Sequence, residues 1–286
     1  MNIDKFKVTG KDKFLLTNYD TQETAGFKTS DSVKKAIAKN IKEISELQDK
    51  LYADGKHGIL IIFQAMDAAG KDSAIKHVMS GVNPQGVQVF NFKQPSSEEL
   101  AHDYLWRAMK RLPERGKIAI FNRSYYEDVL VVKVHKLYES LNIAERCKTP
   151  NTIKERYKQI KNFEDYLWEN GIITVKFFLH LSKDVQAKRF LDRIEKKEKN
   201  WKFSKGDINE RERWDDYQEA YQSAIEATAT VKNPWYVIPA DKKWFSRAII
   251  SNILLKVMKE IDPKYPVITE EQELELIDCK KRLLAQ

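Results

Sequence analysis

Residues 59–73 read I-L-I-I-F-Q-A-M-D-A-A-G-K-D-S, and this stretch constrains the fold more than any other. Residues 59–63 form a short unbroken apolar run, the pattern of a strand buried on both faces of a parallel sheet. A loop of small residues follows. Gly70-Lys71 then opens a segment whose apolar positions, Ile75, Val78, Met79 and Val82, recur at helical spacing. Strand, tight loop and helix in this order let backbone N–H groups curl around an oxyanion while the helix N-terminus adds positive potential. Ala68, Ala69, Gly70, Lys71, Asp72 and Ser73 are the candidate phosphate-binding set, with Gly70 allowing close approach and Lys71 supplying charge.

The order is that of a P-loop, with two departures. Ala65 stands at the first position, where glycine is usual, and Asp72 stands where a magnesium-binding hydroxyl is usual. A metal would therefore need other ligands. Asp67 lies inside the loop, where a bare carboxylate repels phosphate, so it is expected to bind Mg²⁺ or orient a second phosphorylated substrate. The plain alternative is a helix-start turn with a solvated lysine.

Length and composition leave room for such a site. A chain of 286 residues, 42% hydrophobic, suffices for one large α/β domain. The net charge of +8 favours an anionic partner without naming it, leaving nucleic acid, anionic membrane and polyanionic metabolites open. Cys147 and Cys279 make no metal or redox spacing, and neither a signal peptide nor an apolar run of membrane-spanning length is visible. A reducing, cytoplasmic setting is expected.

Residues 1–30 carry no motif. A packing helix is expected over 31–54, stopped by Gly55, and a second strand over 87–92. Lys93 follows that strand at the end where open α/β sheets bind ligands, ahead of a helix expected to run to about residue 112 with Arg107 and Arg111 on it. The third strand, 118–121, ends in Asn122-Arg123-Ser124-Tyr125-Tyr126-Glu127-Asp128. In P-loop proteins a carboxylate at the end of a neighbouring strand helps hold the metal. Here Asn122 has that place, with Glu127 and Asp128 one turn beyond and Arg123 able to grip phosphate with two N–H groups.

After a helix over 151–170 and a fourth strand over 172–181, the run around 196–206 lacks apolar periodicity and is expected to be a mobile lid carrying cations. Asp207 and Glu210 are expected to cap a helix whose Trp214, Tyr217, Tyr221 and Ile225 stripe belongs to the core. A fifth strand over 235–238 precedes Asp241, Lys242, Lys243 and Arg247, again at a strand's C-terminal end. A helix over 244–261 and a short charged tail over 263–286 follow.

Together, A-M-D-A-A-G-K-D at 65–72, F-N-R-S-Y-Y-E-D at 121–128, W-K-F-S-K-G-D-I-N-E-R-E-R-W-D-D-Y at 201–217 and P-W-Y-V-I-P-A-D-K-K-W-F-S-R at 234–247 resemble the second family of polyphosphate kinases, class III in particular. The resemblance covers most of the chain. It implies a three-layer αβα P-loop kinase fold like that of thymidylate kinase, with a five-stranded parallel sheet and a helical lid. One domain would span residues 1–286, with an N-terminal arm and helix to about 55, a lid at about 196–215 and a tail from about 263. It further implies Mg²⁺-dependent transfer, with Mn²⁺ as a substitute, between inorganic polyphosphate and nucleoside mono- and diphosphates, in a homo-oligomer, dimer or tetramer. Carried onto this sequence, Asp67 and Lys71 form the first-loop pair, Asn122 and Arg123 the second, and Glu127 and Asp128 the acceptor-choosing neighbours. Lys202, Lys205 and Arg211 belong to the lid, while Lys242, Lys243 and Arg247, with Asp241 beside them, are expected from their position at a strand's C-terminal end to approach the nucleotide. Ala65 for glycine and Tyr125 where histidine is frequent depart from the family pattern.

A phosphoryl group passes in line between two oxygens through a loose transition state, so positioning and charge neutralisation suffice. No role is assigned to His57, His77, His102, His135 or His180. Two other readings are an ATP-dependent nucleotide kinase and a basic nucleic-acid-binding protein with a vestigial P-loop. Against the latter, no nucleic-acid-reading module is present.

Overall fold

A computed structural model describes residues 2–286. In chain order, β1 is Lys7–Val8, α1 Asp31–Asp54, β2 Gly58–Gln64 and α2 Lys71–Val78. β3 (Val87–Asn91) is followed by two single helical turns, α3 (Ser97–Leu100) and α4 (Trp106–Met109), and then by β4 (Ile118–Asn122) and α5 (Val131–Val134). Next come α6 (Thr152–Glu169), β5 (Ile172–His180), α7 (Lys183–Glu195), α8 (Lys205–Glu212) and α9 (Trp214–Thr228). β6 (Trp235–Pro239), α10 (Lys243–Ile261) and α11 (Glu270–Leu284) complete the order.

The strands form one sheet in the order β1-β6-β5-β2-β4-β3. β2 lies inside it, parallel to β4 and β5, and all seven of its residues are buried, as an unbroken apolar run requires. Its side chains alternate between two cores. Ile59, Ile61 and Phe63 pack with residues of α1, α2 and α10, whereas Leu60 and Ile62 pack with residues of α6 and α9. This is the expected three-layer α/β architecture. Among the described residues no helix is long and apolar enough to cross a membrane.

The expected five-stranded parallel sheet is instead six-stranded and mixed. Lys7 and Val8 pair antiparallel with Tyr236 and Trp235 at the β6 edge. Two residues are too short to show a period, so only the pairing reveals the strand.

The helix expected from 98 to 112 is broken as well. Ser96 and Glu99 close a reciprocal capping box on α3, and the Asp103 carboxylate accepts from Leu105 N at 2.9 Å to start a separate turn. Asp207 and Glu210 do not cap the helix that carries Trp214. α8 already begins at Lys205, a break at Arg213 separates it from α9, and the expected mobile run holds a 3-10 turn at Lys197–Lys202.

Candidate active site

The loop between β2 and α2 turns through two left-handed residues, Ala68 (φ 62°) and Gly70 (φ 105°). A Cβ on Gly70 would meet only Lys243 Cε at 3.8 Å and Arg189 Nη1 at 3.9 Å, so conformation rather than space calls for glycine. Ala65 is not among the positive-φ residues, and its buried methyl packs in the core. A side chain is therefore tolerated where glycine is usual. Lys71 lies buried across the loop and donates to the Ala65 carbonyl at 3.0 Å. Burial, reinforced by the positive charge of Arg123, brings its pKa down to about 8 against the opposing pull of Asp67, Glu127 and Asp72.

β4 runs beside β2 with Asn122 opposite Phe63, and Arg123 N donates to the Phe63 carbonyl at 3.0 Å. Arg123 is left-handed (φ 62°), and its guanidinium faces the loop. There Nη2 lies 2.5 Å from Asp67 Oδ1 and Nη1 lies 3.3 Å from Glu127 Oε2. These two carboxylates raise its already high pKa, Glu127 contributing most. Gln64, at the end of β2, donates to the other oxygen of Glu127 at 2.9 Å. Asn122 donates to Asp72 at 2.6 Å and to Asn91 at 2.8 Å, drawing three strand and helix ends together.

Both clusters open onto a cavity of about 500 Å³. Met66, Phe92, Leu130, Val131 and Tyr221 give it apolar walls, and Asp67, Arg123, Glu127, Asp128 and Glu210 line its polar side. Arg156 holds Asp128 by the main-chain oxygen at 2.9 Å and the carboxylate at 3.4 Å. Burial nonetheless pushes the Asp128 carboxyl up to about 6. Glu210, brought over the cavity by α8, accepts from the Tyr217 hydroxyl at 2.5 Å and contacts His135 Nε2 at 2.9 Å.

Of the other expected residues, Asp241, Lys242, Lys202, Lys205 and Arg211 do not line the cavity. The Asp241 carboxylate accepts from Ser182 N at 2.8 Å and Thr21 Oγ1 at 2.9 Å, tying the N-terminal arm to the β5–α7 corner away from the cavity. Lys242 is exposed at the start of α10. Lys202 and Lys205 are also exposed, the first lying over the Trp201 ring. Arg211 donates to Lys183 O at 2.7 Å and Gln186 Oε1 at 3.0 Å, while Gln186 donates to Asp67 O at 2.9 Å. Lys93 stands exposed on the cavity rim. Tyr125 points into the core, where it and Tyr126 donate to Glu164 Oε1 at 2.9 and 2.8 Å, and it does not line the cavity.

Arg189 was not singled out by sequence reasoning. From α7 it donates to the carbonyls of Ala68 and Ala69, both at 2.9 Å, and to those of Ala240 and Asp241 at 2.7 and 3.0 Å. The guanidinium fork thus ties the loop to the end of β6. The polar i, i+3 pair Gln186 and Arg189 on an otherwise amphipathic helix was the available signal. Beside it, Arg247 donates to Ser73 Oγ at 2.6 Å. Lys243 has its pKa lowered by partial burial and then by the charges of Arg189 and Arg247.

A family profile described as Polyphosphate kinase 2 (PPK2) matches residues 28–266. The chain belongs to this polyphosphate kinase 2 family. Within the family it is 45% identical to the ADP-polyphosphate phosphotransferase of Rhodopseudomonas palustris, over 98% of both chains. It is 42% identical to the AMP/ADP-polyphosphate phosphotransferase of Meiothermus ruber, over 92% of this chain and 95% of that one. The crystal structure of Polyphosphate Kinase 2 from Arthrobacter aurescens TC1 superposes with a TM-score of 0.86 at 37% identity, covering 96% of this chain and 95% of that one. Of the polyphosphate kinase 2 profile's span, the loop, the Asn122–Asp128 turn, α7 and α10 all lie within it, whereas α11 lies beyond its end.

Proposed function

We propose that this chain transfers phosphoryl groups between inorganic polyphosphate and nucleotides, phosphorylating AMP and ADP toward ATP. The observation that carries the reading is that Asp67 and Arg123 belong at once to the phosphate loop's surroundings and to the lining of an acceptor-sized cavity. Two strings of phosphate, one on each side of this pair, would meet at Arg123.

In the proposed reaction Lys71, the loop amides and the cations around Arg247 and Lys243 bind the terminal units of the donor. The α7 contacts through Arg189 and Gln186 keep the loop in shape. Arg123 neutralises charge on the migrating group, and the acceptor rests in the cavity with its base between apolar walls. The attacking group is the acceptor's own phosphate oxygen, largely ionised at neutral pH because its second pKa is about 6, so no side chain need remove a proton. The rest of the transfer is alignment.

Mg²⁺, or Mn²⁺ in its place, suits the oxygen donors Asp67, Asp72 and Asn122. The described residues contain no cluster of three or more His, Cys, Asp or Glu able to hold a metal, so water and phosphate oxygens would have to complete the coordination of a hard cation held near Asp67. When bound, it would neutralise phosphate charge. We assign α8 and the preceding turn as the lid, and residues 1–286 as one P-loop kinase domain with arm and tail. A homo-oligomer is part of the same proposal. Exposed free thiols at Cys147 and Cys279 suit the reducing cytoplasm.

The test is incubation with ADP, polyphosphate and Mg²⁺ in the absence of ATP, then with AMP, GMP and GDP. ATP should form from ADP and from AMP. No product from any of the four, together with ATP-dependent phosphorylation of a nucleotide, would make the chain an ordinary nucleotide kinase.

A further inference from the structure

Every residue from 264 to 286 is exposed, yet residues 270–284 of this segment form a 15-residue helix, α11. Its start is closed by a reciprocal cap between Thr269 and Gln272. An isolated helix of about 12–15 residues is marginal in water, because most helical stability comes from packing an apolar face. Here that face has nothing on it. Leu276, Ile277, Leu283 and Leu284 recur at i, i+1, i+7 and i+8, and all are exposed, Leu284 at 79%. Val267 and Ile268, just before the helix, are exposed as well.

Charge is segregated along the same helix. Glu270, Glu271, Glu273, Glu275 and Asp278 occupy its first part, and Lys280, Lys281 and Arg282 its last turn. That gradient is complementary to itself only when reversed. We propose that α11 is a dimerisation element that pairs antiparallel with α11 of a second copy of this chain. The acidic first part of each helix would face the basic end of the other. Val267 and Ile268 would lie beside the partner helix's terminal leucines, and the two apolar stripes would cover one another. With five acids against three bases the helix is net negative, which disfavours an anionic lipid surface as the occupant. The family profile ends at residue 266, before α11 begins; the pairing rests on the homo-oligomer proposed above and names its interface, and mass and cross-linking read it apart from the phosphotransfer assay.

The test is particle mass by light scattering for the full chain and for the double substitution Ile277→Glu, Leu284→Glu. The substituted protein, with unchanged circular dichroism of the catalytic fold, should show half the mass of the parent, down to 33.5 kDa if no other interface exists. A complementary measurement uses a short bismaleimide on the Cys147→Ser protein. Antiparallel pairing about residue 277 sets the two Cys279 residues roughly 6 Å apart along the axis at 1.5 Å per residue, so a cross-linked dimer should form and be lost in the double variant. Reversing the acids in one copy (Glu270→Lys, Glu271→Lys, Glu273→Lys) and the bases in another (Lys280→Glu, Lys281→Glu, Arg282→Glu) should weaken each alone and restore pairing on mixing. A parent that stays at 33.5 kDa, a mass unchanged by the double substitution, or a monomer that binds phosphatidylserine vesicles through α11 would each overturn the proposal.

Discussion

Arg123 Nη2 and Asp67 Oδ1 lie 2.5 Å apart, joining the end of β4 to the loop after β2 by an ion pair about one-third open to solvent. Exposed pairs of this kind contribute about 0–1 kcal/mol to stability, so selection for folding alone gives little reason for a carboxylate inside a phosphate loop. Asp67→Asn should therefore lower turnover by about 10²–10³-fold, the scale of a lost charge-stabilising contact, while shifting the melting temperature only slightly. Steady-state rates of ATP formation beside a thermal melt decide it, and near-normal turnover would falsify the assignment.

Lys71 gives a pH dependence of known sign. Its folded pKa of about 8 lies below the ordinary 10.5, so between those values the unfolded chain binds more protons. The unliganded protein should become more stable through this site as pH rises over that window, and Lys71→Met should lack the rise. A bound polyanion favours the charged amine, so affinity for polyphosphate should weaken over the same rise. Thermal midpoints and polyphosphate KM from pH 7 upward, in parent and variant, report both effects.

The four carbonyls gathered by Arg189 predict an effect on donor binding from a residue that need not touch the donor. Hydrogen bonds from charged groups are each worth about 1.5–3 kcal/mol, partly recovered by water. Arg189→Met should raise the KM for polyphosphate about tenfold and lower stability by about 2–3 kcal/mol. Arg189→Lys should fall between, because an ammonium cannot copy the fork. Equal effects of the two variants on KM would show that charge alone matters there.

Beneath the Asn122–Asp128 turn, Glu164 and Lys176 form a buried pair at 2.5 Å, with Tyr125, Tyr126 and Thr228 completing their hydrogen bonds. Glu164→Gln leaves a buried ammonium uncompensated and should cost about 3–5 kcal/mol, read from the urea midpoint. Glu164→Leu combined with Lys176→Met should recover most of the loss. A double variant no more stable than the single one would mean that the tyrosine bonds, not the charge, hold the turn.

Local order fixed much of the molecule. The apolar run before Ala65 reads as a buried strand, the small-residue loop and Lys71 follow it in the order of a phosphate-binding turn, and the residues at 122–128 lie near that loop once β4 pairs with β2. These readings survive because periodicity and turn chemistry act over a few residues and are written in the chain. What tertiary structure decided is which polar groups find one another. Arg189 reaches four carbonyls from a distant helix, Asp241 closes on Thr21 and Ser182 instead of facing the cavity, and a two-residue strand forms only because β6 offers it an open edge. A hydrogen bond between residues fifty or more positions apart leaves no local period, since its partner is chosen by packing in space and not by neighbours in sequence.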